Sequence, residues 1–222
     1  MRLPPGASMP QEPSWPLTLR AGGLVLRPLR RSDAEQWARV RGCNAAWLRP
    51  WDATNPPGSP RLASFAEMVH LHARQGREGT GLPLAICWDA GWPERPDRRP
   101  PLIGYVSVSG IVWGAAQMGH IGYWIDRDYA GRGLMPAAVA LVSDYCLQVL
   151  GLHRLEVNIR PENEASLRVV EKLGFRDEGL RLRFLHIDGD WRDHRSFALT
   201  ADEATAGVLA RYVGVTGVPR QP

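Results

Sequence analysis

An α/β (α+β) architecture, a mixed β-sheet flanked by helices in one domain, is what this chain predicts. Three observations point to it. Short β-rich runs alternate with segments of helical period, notably at 82–88, 102–112, 117–125 and 155–159. A turn bearing Gly131 and Gly133 leads from a strand straight into an apolar helix. Two final strands meet through Asp188-Gly189, a strong hairpin turn pair.

The elements follow in order. A first strand is expected over 24–29, LVLRPL. Ser32-Asp-Ala-Glu35 has the spacing of a capping box and opens a helix expected to run through Arg41. Trp37 and Val40, three apart, mark its inner face. WLRPW, from Trp47 to Trp51, reads as an aromatic loop. A second helix is expected over 61–75, then a strand over 82–88. The Pro/Arg-rich residues 89–101 read as an exposed connection. Strands over 102–112 and 117–125 are separated near Gly114. A helix over 136–149 keeps Ala138, Leu141, Val142, Tyr145 and Val149 on the 3.6-residue period. A strand over 155–159 precedes a short helix over 163–173, which Gly174 stops. The last hairpin joins 180–187 to 191–199. Thr200-Ala-Asp-Glu203 is a second capping box, opening a terminal helix that reaches Arg211 at most. Residues 1–20 read as a flexible tail, 21–205 as the domain, and 206–222 as a helix end and tail.

Composition narrows the function. With 222 residues, 44% hydrophobic and 23% charged, the chain is long enough for a real core, which excludes wholesale disorder. The longest apolar stretch, Leu134 to Val142, falls well short of the roughly 20 residues that span a bilayer. The first residues lack the apolar segment of a secretory signal. No membrane partner is expected. The net charge is +4, and every basic residue except Lys172 is arginine, interspersed with acids. No dense basic run favours nucleic acid, although local positive charge suits a phosphate-bearing ligand. Cys43, Cys87 and Cys146 are scattered, with no CxxC and no histidine pair at zinc spacing. They read as buried thiols in a reducing cytoplasm, and no metal is expected.

Two segments carry chemistry. The strand ending at Ile125 runs into Asp128-Tyr-Ala-Gly-Arg-Gly-Leu-Met135 and then a helix. Such a junction presents backbone N–H groups, here Gly131 through Met135, at the positive end of a helix dipole. Arg132 adds charge. No GK[ST] follows, so it is not a Walker loop, and the third glycine of a dinucleotide fingerprint is missing. By itself the turn also fits a tight connection. The second segment is RPENEASLRVVEKLGF, 160–175. Asn163 and Ser166 share one helix side, and Leu167, Val170 and Leu173 form an apolar stripe. Asn163 also suits a plain helix cap, and Ser166 a back-bonded hydroxyl.

IGYWIDRDYAGRGLM followed by RPENEASLRVVEKLGF resembles the GNAT acetyltransferase superfamily. Within it the chain resembles the RimJ/RimL branch, the ribosomal-protein and other protein N-terminal alanine acetyltransferases. Leu48-Arg-Pro-Trp51 and Trp191-Arg-Asp-His194 are similar to that branch, and the likeness runs from about Leu24 to Glu203. The resemblance implies a GNAT fold and acetyl-CoA as cofactor. It places the pyrophosphate on the amides of Ala130 to Leu134 and the pantetheine beside Gly122–Ile125, hence against Trp124 and Ile125. Asn163 matches an asparagine that contacts CoA, and Ser166 a hydroxyl near the sulfur. Two positions depart from the pattern. Asp128 stands where the family carries Gln or Arg, which passes the charge role to Arg127 or Arg132. Val170 stands where many members carry a tyrosine acid, which leaves Ser166 or water as proton donor.

The chemistry is direct attack by an amine. An α-amine, with a pKa of about 7.7–8.0, sheds its proton more easily than a lysine at about 10.4. His120 is the first choice of base and Glu156 the second. Each also has a plain alternative, a hydrogen-bonded surface histidine and an exposed carboxylate paired with arginine. A backbone N–H near Trp124 or Ile125 is expected to meet the developing oxyanion. His153 and His194 read as structural. Trp47, Trp51 and Tyr123 are candidates for the acceptor groove, with core packing or a dimer contact as the alternative. The expected function is N-terminal protein acetylation, with ribosomal proteins among the acceptors, by a monomer or homodimer. Small-amine acetylation (polyamine or aminoglycoside) and a non-catalytic acyl-CoA sensor are the alternatives.

Overall fold

The apolar runs pair into one eight-stranded sheet. In the computed structural model, residues 15–60, 63–89 and 100–216 are described. The strands are β1 (Leu19–Ala21), β2 (Leu24–Arg27), β3 (Leu82–Trp88), β4 (Leu102–Val112), β5 (Met118–Ile125), β6 (Arg154–Ile159), β7 (Arg176–Ile187) and β8 (Asp190–Thr200). Their order is β1-β2-β3-β4-β5-β6-β8-β7. Every neighbouring pair is antiparallel except β5–β6. A parallel pair needs a crossover, and α4 (Leu134–Asp144) supplies it.

The sheet carries helices on both faces. On one side α4, α5 (Glu164–Leu173) and α6 (Val208–Thr216) build the main core, with Ala138, Val142, Leu155, Val170 and Leu173 completely buried. On the other, α1 (Ala34–Cys43) and α3 (Phe65–Glu78) cover a smaller core of Val25, Leu29, Val40 and Cys87. Trp37 packs against that core and Val40 lies within it, as their spacing predicted.

Several local expectations need correction. Leu19 and Arg20, read as tail, belong to β1, a strand too short to show period-2 alternation. The capping box before α1 sits two residues early. Asp33 Oδ2 accepts from Arg30 N at 2.8 Å, because the same carboxylate is drawn to Arg27 at 2.7 Å. WLRPW is not all loop, since α2 (Ala45–Leu48) forms one helical turn at its start. Helix α3 starts after Ser64, later than expected, and Ser64-Phe-Ala-Glu67 forms a capping box whose spacing is present in the sequence. Residues 61–62 and 90–99, where the expected helix start and most of the Pro/Arg connection fall, lie outside the described residues. The helix expected over 136–149 changes at Tyr145–Val149 into a π-helical turn. Thr200 and Glu203 do form their box, but it opens a 3-10 turn, Ala201–Ala204, and α6 is a separate helix reaching Thr216. Cys43 is exposed, whereas Cys87 and Cys146 are buried, and burial pushes the Cys87 thiol up to about 11.

One feature of the sheet positions the site. β5 and β6 pair from Met118↔Arg154 only to Ile121↔Val157, although they run on to Ile125 and Ile159. Each keeps its outer partner, β4 and β8, to the end. The centre of the sheet is therefore forked beyond Ile121.

Candidate active site

The loop after β5 is built around two glycines. Gly131 and Gly133 have φ of 76° and 80°, a region that L side chains enter only with strain. Gly133 is the N-cap of α4, and no side chain caps that helix. Pro136 has no N–H to satisfy. The N–H groups of Leu134 and Met135 are thus left for a ligand, at the positive end of the dipole. The start of the loop is pinned from outside. Asn44, buried between α1 and α2, donates to Asp126 Oδ1 at 2.9 Å and accepts from Arg127 N at 2.9 Å. No pattern in the sequence marked Asn44 for this.

Loop, fork and α5 enclose a cavity of about 600 Å³. Of the residues expected to hold the cofactor, Trp124, Ile125, Ala130, Gly131, Gly133, Met135, Asn163 and Ser166 line it, and so do the acceptor candidates Trp47, Trp51 and Tyr123. Leu134 is fully buried and lies outside the lining. Arg132 lies outside the lining and stacks over Tyr129 at 5.7 Å. Asp128 is exposed and also outside the lining, so its charge does not face the cavity. Asn163 is the N-cap of α5, its Oδ1 accepting from Ser166 N at 3.1 Å. Its role as a cap is therefore real, and it lines the cavity as well. Tyr123 projects toward α5, its hydroxyl donating to Ser166 O at 3.4 Å, and burial pushes its pKa up.

Two cations were missed. Arg168 and Lys172 line the cavity from α5. With Ala165 and Val169 they occupy the i, i+3, i+4, i+7 positions of one helix face, a spacing that was open to inspection.

Backbone alternation decides which amides face the fork. Asp126 N donates to Ile103 O of β4 at 2.7 Å. Successive residues point to opposite edges, so Trp124 N–H also faces β4 while those of Tyr123 and Ile125 face the open side. Of the two N–H groups expected to meet the oxyanion, that of Ile125 faces the open side and that of Trp124 faces β4.

On the opposite sheet face lie His120, Gly122 and the Trp124 ring. Trp124 meets Trp37 edge-on at 5.4 Å and lies under Arg41 at 5.2 Å. Arg41 grips Asp52 at 2.6 and 3.2 Å. Arg160 covers Trp51 at 5.5 Å, donates to Pro50 O at 2.7 Å and lies 3.3 Å from Glu162. The Trp47–Thr54 segment is tied to the end of β7 by Thr54 N donating to His186 O at 2.8 Å.

His120 and Glu156 are direct partners in the β5–β6 register. His120 Nδ1 is buried 3.5 Å from Glu156 Oε2, without a hydrogen bond. Glu156 is not the exposed carboxylate of the plain alternative. It is 5% exposed and accepts from Arg154 Nε at 2.9 Å and Arg181 Nη2 at 3.0 Å. Arg154 also holds Glu178, and with Arg176 it draws that carboxyl down to about 2. Neither His120 nor Glu156 lines the cavity. They sit at the apex of the fork, on the side away from the glycine loop. His194 is buried and bonded to Arg192 O at 3.0 Å, and His153 is exposed. Among the described residues no cluster of three His, Cys, Asp or Glu is placed to hold a metal. No described helix is long and apolar enough to cross a membrane.

Residues 23–176 match the acetyltransferase (GNAT) domain family. The chain belongs to the GNAT acetyltransferases. It is similar to Mycobacterium smegmatis RimJ, a structure in complex with CoA-disulfide, with a TM-score of 0.79 and 33% identity over 90% of this chain and 95% of that one. It is 28% identical to the [ribosomal protein uS5]-alanine N-acetyltransferase of Escherichia coli (strain K12), over 83% of this chain and 91% of that protein. It is also 36% identical to the spermidine N(1)-acetyltransferase of the same organism, over 78% and 83%.

As a GNAT acetyltransferase the protein draws its acetyl group from acetyl-CoA. Its residues fit that molecule. The uncapped amides of the glycine loop suit a pyrophosphate, Lys172 adds positive charge, Arg168 does so while paired with Glu164 at 3.3 Å, and the unpaired edge from Gly122 to Ile125 can take an amide-bearing chain as an added strand.

Proposed function

We propose that this GNAT acetyltransferase acts on the N-terminal α-amine of a protein, with ribosomal proteins among its acceptors. One observation carries the choice. Among the described residues, the acids that line the cavity or sit at the apex of the fork are each paired with an arginine: Asp52 with Arg41, Glu162 with Arg160, Glu164 with Arg168, and Glu156 with Arg154 and Arg181. A polyamine carries several cations and calls for carboxylates free to meet them. A peptide brings a single α-amine and an uncharged backbone, which suits walls of Trp47, Leu48 and Trp51. The likeness to RimJ and to the uS5-alanine enzyme supports this reading. The likeness to a spermidine acetyltransferase supports polyamine acetylation as the second reading.

The residues take the following roles. The N–H groups of Gly131 through Met135 bind the pyrophosphate, aided by Arg168 and Lys172. Asn163 spends its carbonyl on the α5 cap, which leaves its amide NH₂ for the ligand. Acetyl-CoA supplies a thioester carbonyl that the amine attacks. The Ile125 N–H faces that position from the fork. His120 takes the proton of the incoming ammonium at Nε2, because its Nδ1 is turned toward Glu156. Glu156 has both oxygens engaged by arginines, so it orients His120 and does not itself accept the proton. Ser166, on the cavity wall, is the hydroxyl that passes a proton to the departing sulfur and regains one from the attacking nitrogen, which sheds its second proton as the amide forms.

The test is a comparison of acceptors with the purified protein. Peptides beginning with Ala or Ser are expected to exceed spermidine in kcat/KM by about tenfold or more. Spermidine turning over faster than every peptide would establish the polyamine reading instead.

A further inference from the structure

The C-terminal helix lies beyond the matched acetyltransferase domain, yet it is bonded to both helices that frame the cavity. Its N-terminus is capped from α4, where Asp144 accepts from Val208 N at 2.6 Å and Leu209 N at 3.0 Å. Val208 and Tyr212 are buried in the main core. Two side chains then reach back toward the cofactor site. Arg211 donates to Leu173 O, the last carbonyl of α5, and to Glu203 O at 3.2 Å. The Tyr212 hydroxyl donates to Gly133 O at 3.3 Å.

That carbonyl belongs to the residue whose positive φ sets the start of α4, where Gly131, Gly133 and Met135 line the cavity. Gly133 has no side chain to hold it, and a glycine explores more backbone conformations than any other residue. Its carbonyl already accepts from Ala137 N at 3.2 Å, within α4. Tyr212 adds the bond that comes from outside the loop and helix. It is 4% exposed, so its ring is a rigid anchor.

We propose that Tyr212 is a positioning residue for acetyl-CoA binding: by holding the Gly133 carbonyl to α6 it keeps the glycine loop in its ligand-ready shape. The bond lowers the ordering that the loop must undergo when acetyl-CoA arrives, and so strengthens binding without touching the ligand. This rests on acetyl-CoA as donor and is independent of which amine is the acceptor.

The experiment uses the full chain and Tyr212→Phe, which keeps the ring and removes the hydroxyl. Calorimetric titration with acetyl-CoA is expected to show a Kd raised about threefold to tenfold, the effect of one neutral hydrogen bond. Amide hydrogen exchange at residues 130–135 is expected to speed up in the absence of ligand. At saturating acetyl-CoA, kcat and the acceptor KM stay at their wild-type values. Val208→Ala is the control, since it loosens the packing of α6 and leaves the hydroxyl in place. It should lower Tm with no change in Kd. The inference is overturned if Tyr212→Phe binds acetyl-CoA and exchanges like wild type. It is also overturned if Val208→Ala weakens binding as much, because helix stability would then be the cause. A wild type that fails to bind acetyl-CoA overturns the cofactor assignment together with this inference. Tight wild-type binding with an unaltered Tyr212→Phe overturns the inference alone.

Discussion

His120 and Glu156 face each other across the two central strands at the point where those strands cease to pair. In the proposed mechanism the histidine carries the proton and the carboxylate orients it, so their substitutions should behave differently. His120→Asn is expected to lower kcat/KM by roughly 10²–10⁴, the range for removal of a general base. The acetyl-CoA Kd, measured by calorimetry, should not move. Glu156→Gln should lower kcat/KM by less than His120→Asn does, because it leaves the base in place and alters only the group that orients it. A loss as large as that of His120→Asn would assign Glu156 to the proton transfer itself. Both residues were legible, since a histidine and a glutamate on alternating strands stand out. Their register was not legible, and it alone makes them a pair. Gly122 lies at the same scale. It is exposed in mid-strand, and a Cβ there would come no nearer than 3.8 Å to Ser107 Oγ, whereas a Cβ on Gly119 would meet Val108 at 2.6 Å. Packing therefore explains Gly119 and does not explain Gly122. A glycine inside a strand costs about 0.5–1 kcal/mol relative to alanine, so an open approach to the fork is the physical reason left. Gly122→Val should fold and should raise the acceptor KM by more than it raises the acetyl-CoA Kd. An unchanged acceptor KM would count against this approach.

At the scale of the element, the glycine loop and α5 are the two walls proposed to hold the cofactor. The Gly131→Asp/Gly133→Asp variant puts two carboxylates, in a strained backbone region, where phosphates are expected. Calorimetry should show acetyl-CoA binding abolished, and binding at wild-type strength would remove the loop from the site. Lys172→Ala should weaken binding by about tenfold at low salt, with the difference shrinking as ionic strength rises. No salt dependence of that difference would place the lysine away from the phosphates. The glycine loop was legible because it needs a local signal, Gly-x-Gly between a strand and a helix. The capping boxes were legible only in part. Thr200 and Glu203 paired as spaced, but Ser32 lost its role to Arg30 once Arg27 had drawn Asp33 into an ion pair. Local spacing names a possible bond, and a competing tertiary partner decides whether it forms.

For the whole molecule, buried ionisable groups set the response to pH. Burial works to raise the pKa of Asp33, but the Arg27 guanidinium and the Arg30 N–H outweigh it and hold the carboxyl below its ordinary value. The stability it contributes is complete above the ordinary aspartate range and is lost as pH falls through the lowered pKa. Burial also depresses His72 and His194. Their neutral forms stabilise the fold fully above the ordinary histidine pKa of about 6.5, and that contribution fades as pH falls below it. Urea midpoints should therefore decline from pH 7 toward 5, then again below about 4. His72→Phe should flatten the first decline, and an identical profile in that variant would show that His72 contributes nothing to it.

By itself the sequence determined most of the order of strands and helices, though not β1, α2 or the separate α6, together with the glycine loop and the Asn163–Ser166 helix whose motifs place the chain among the acetyltransferases. These depend on near neighbours, on alternation, helical period and turn chemistry, and such signals survive in a linear reading. The tertiary structure alone decided the fork beyond Ile121, the pairing of His120 with Glu156, the pairing of Asp52 with Arg41 and of Glu156 with Arg181, and the hold of Tyr212 on Gly133. Each joins residues far apart in the chain. Hydrogen bonds and ion pairs act over a few ångströms of space whatever the separation in sequence, so only the folded register could bring these groups together.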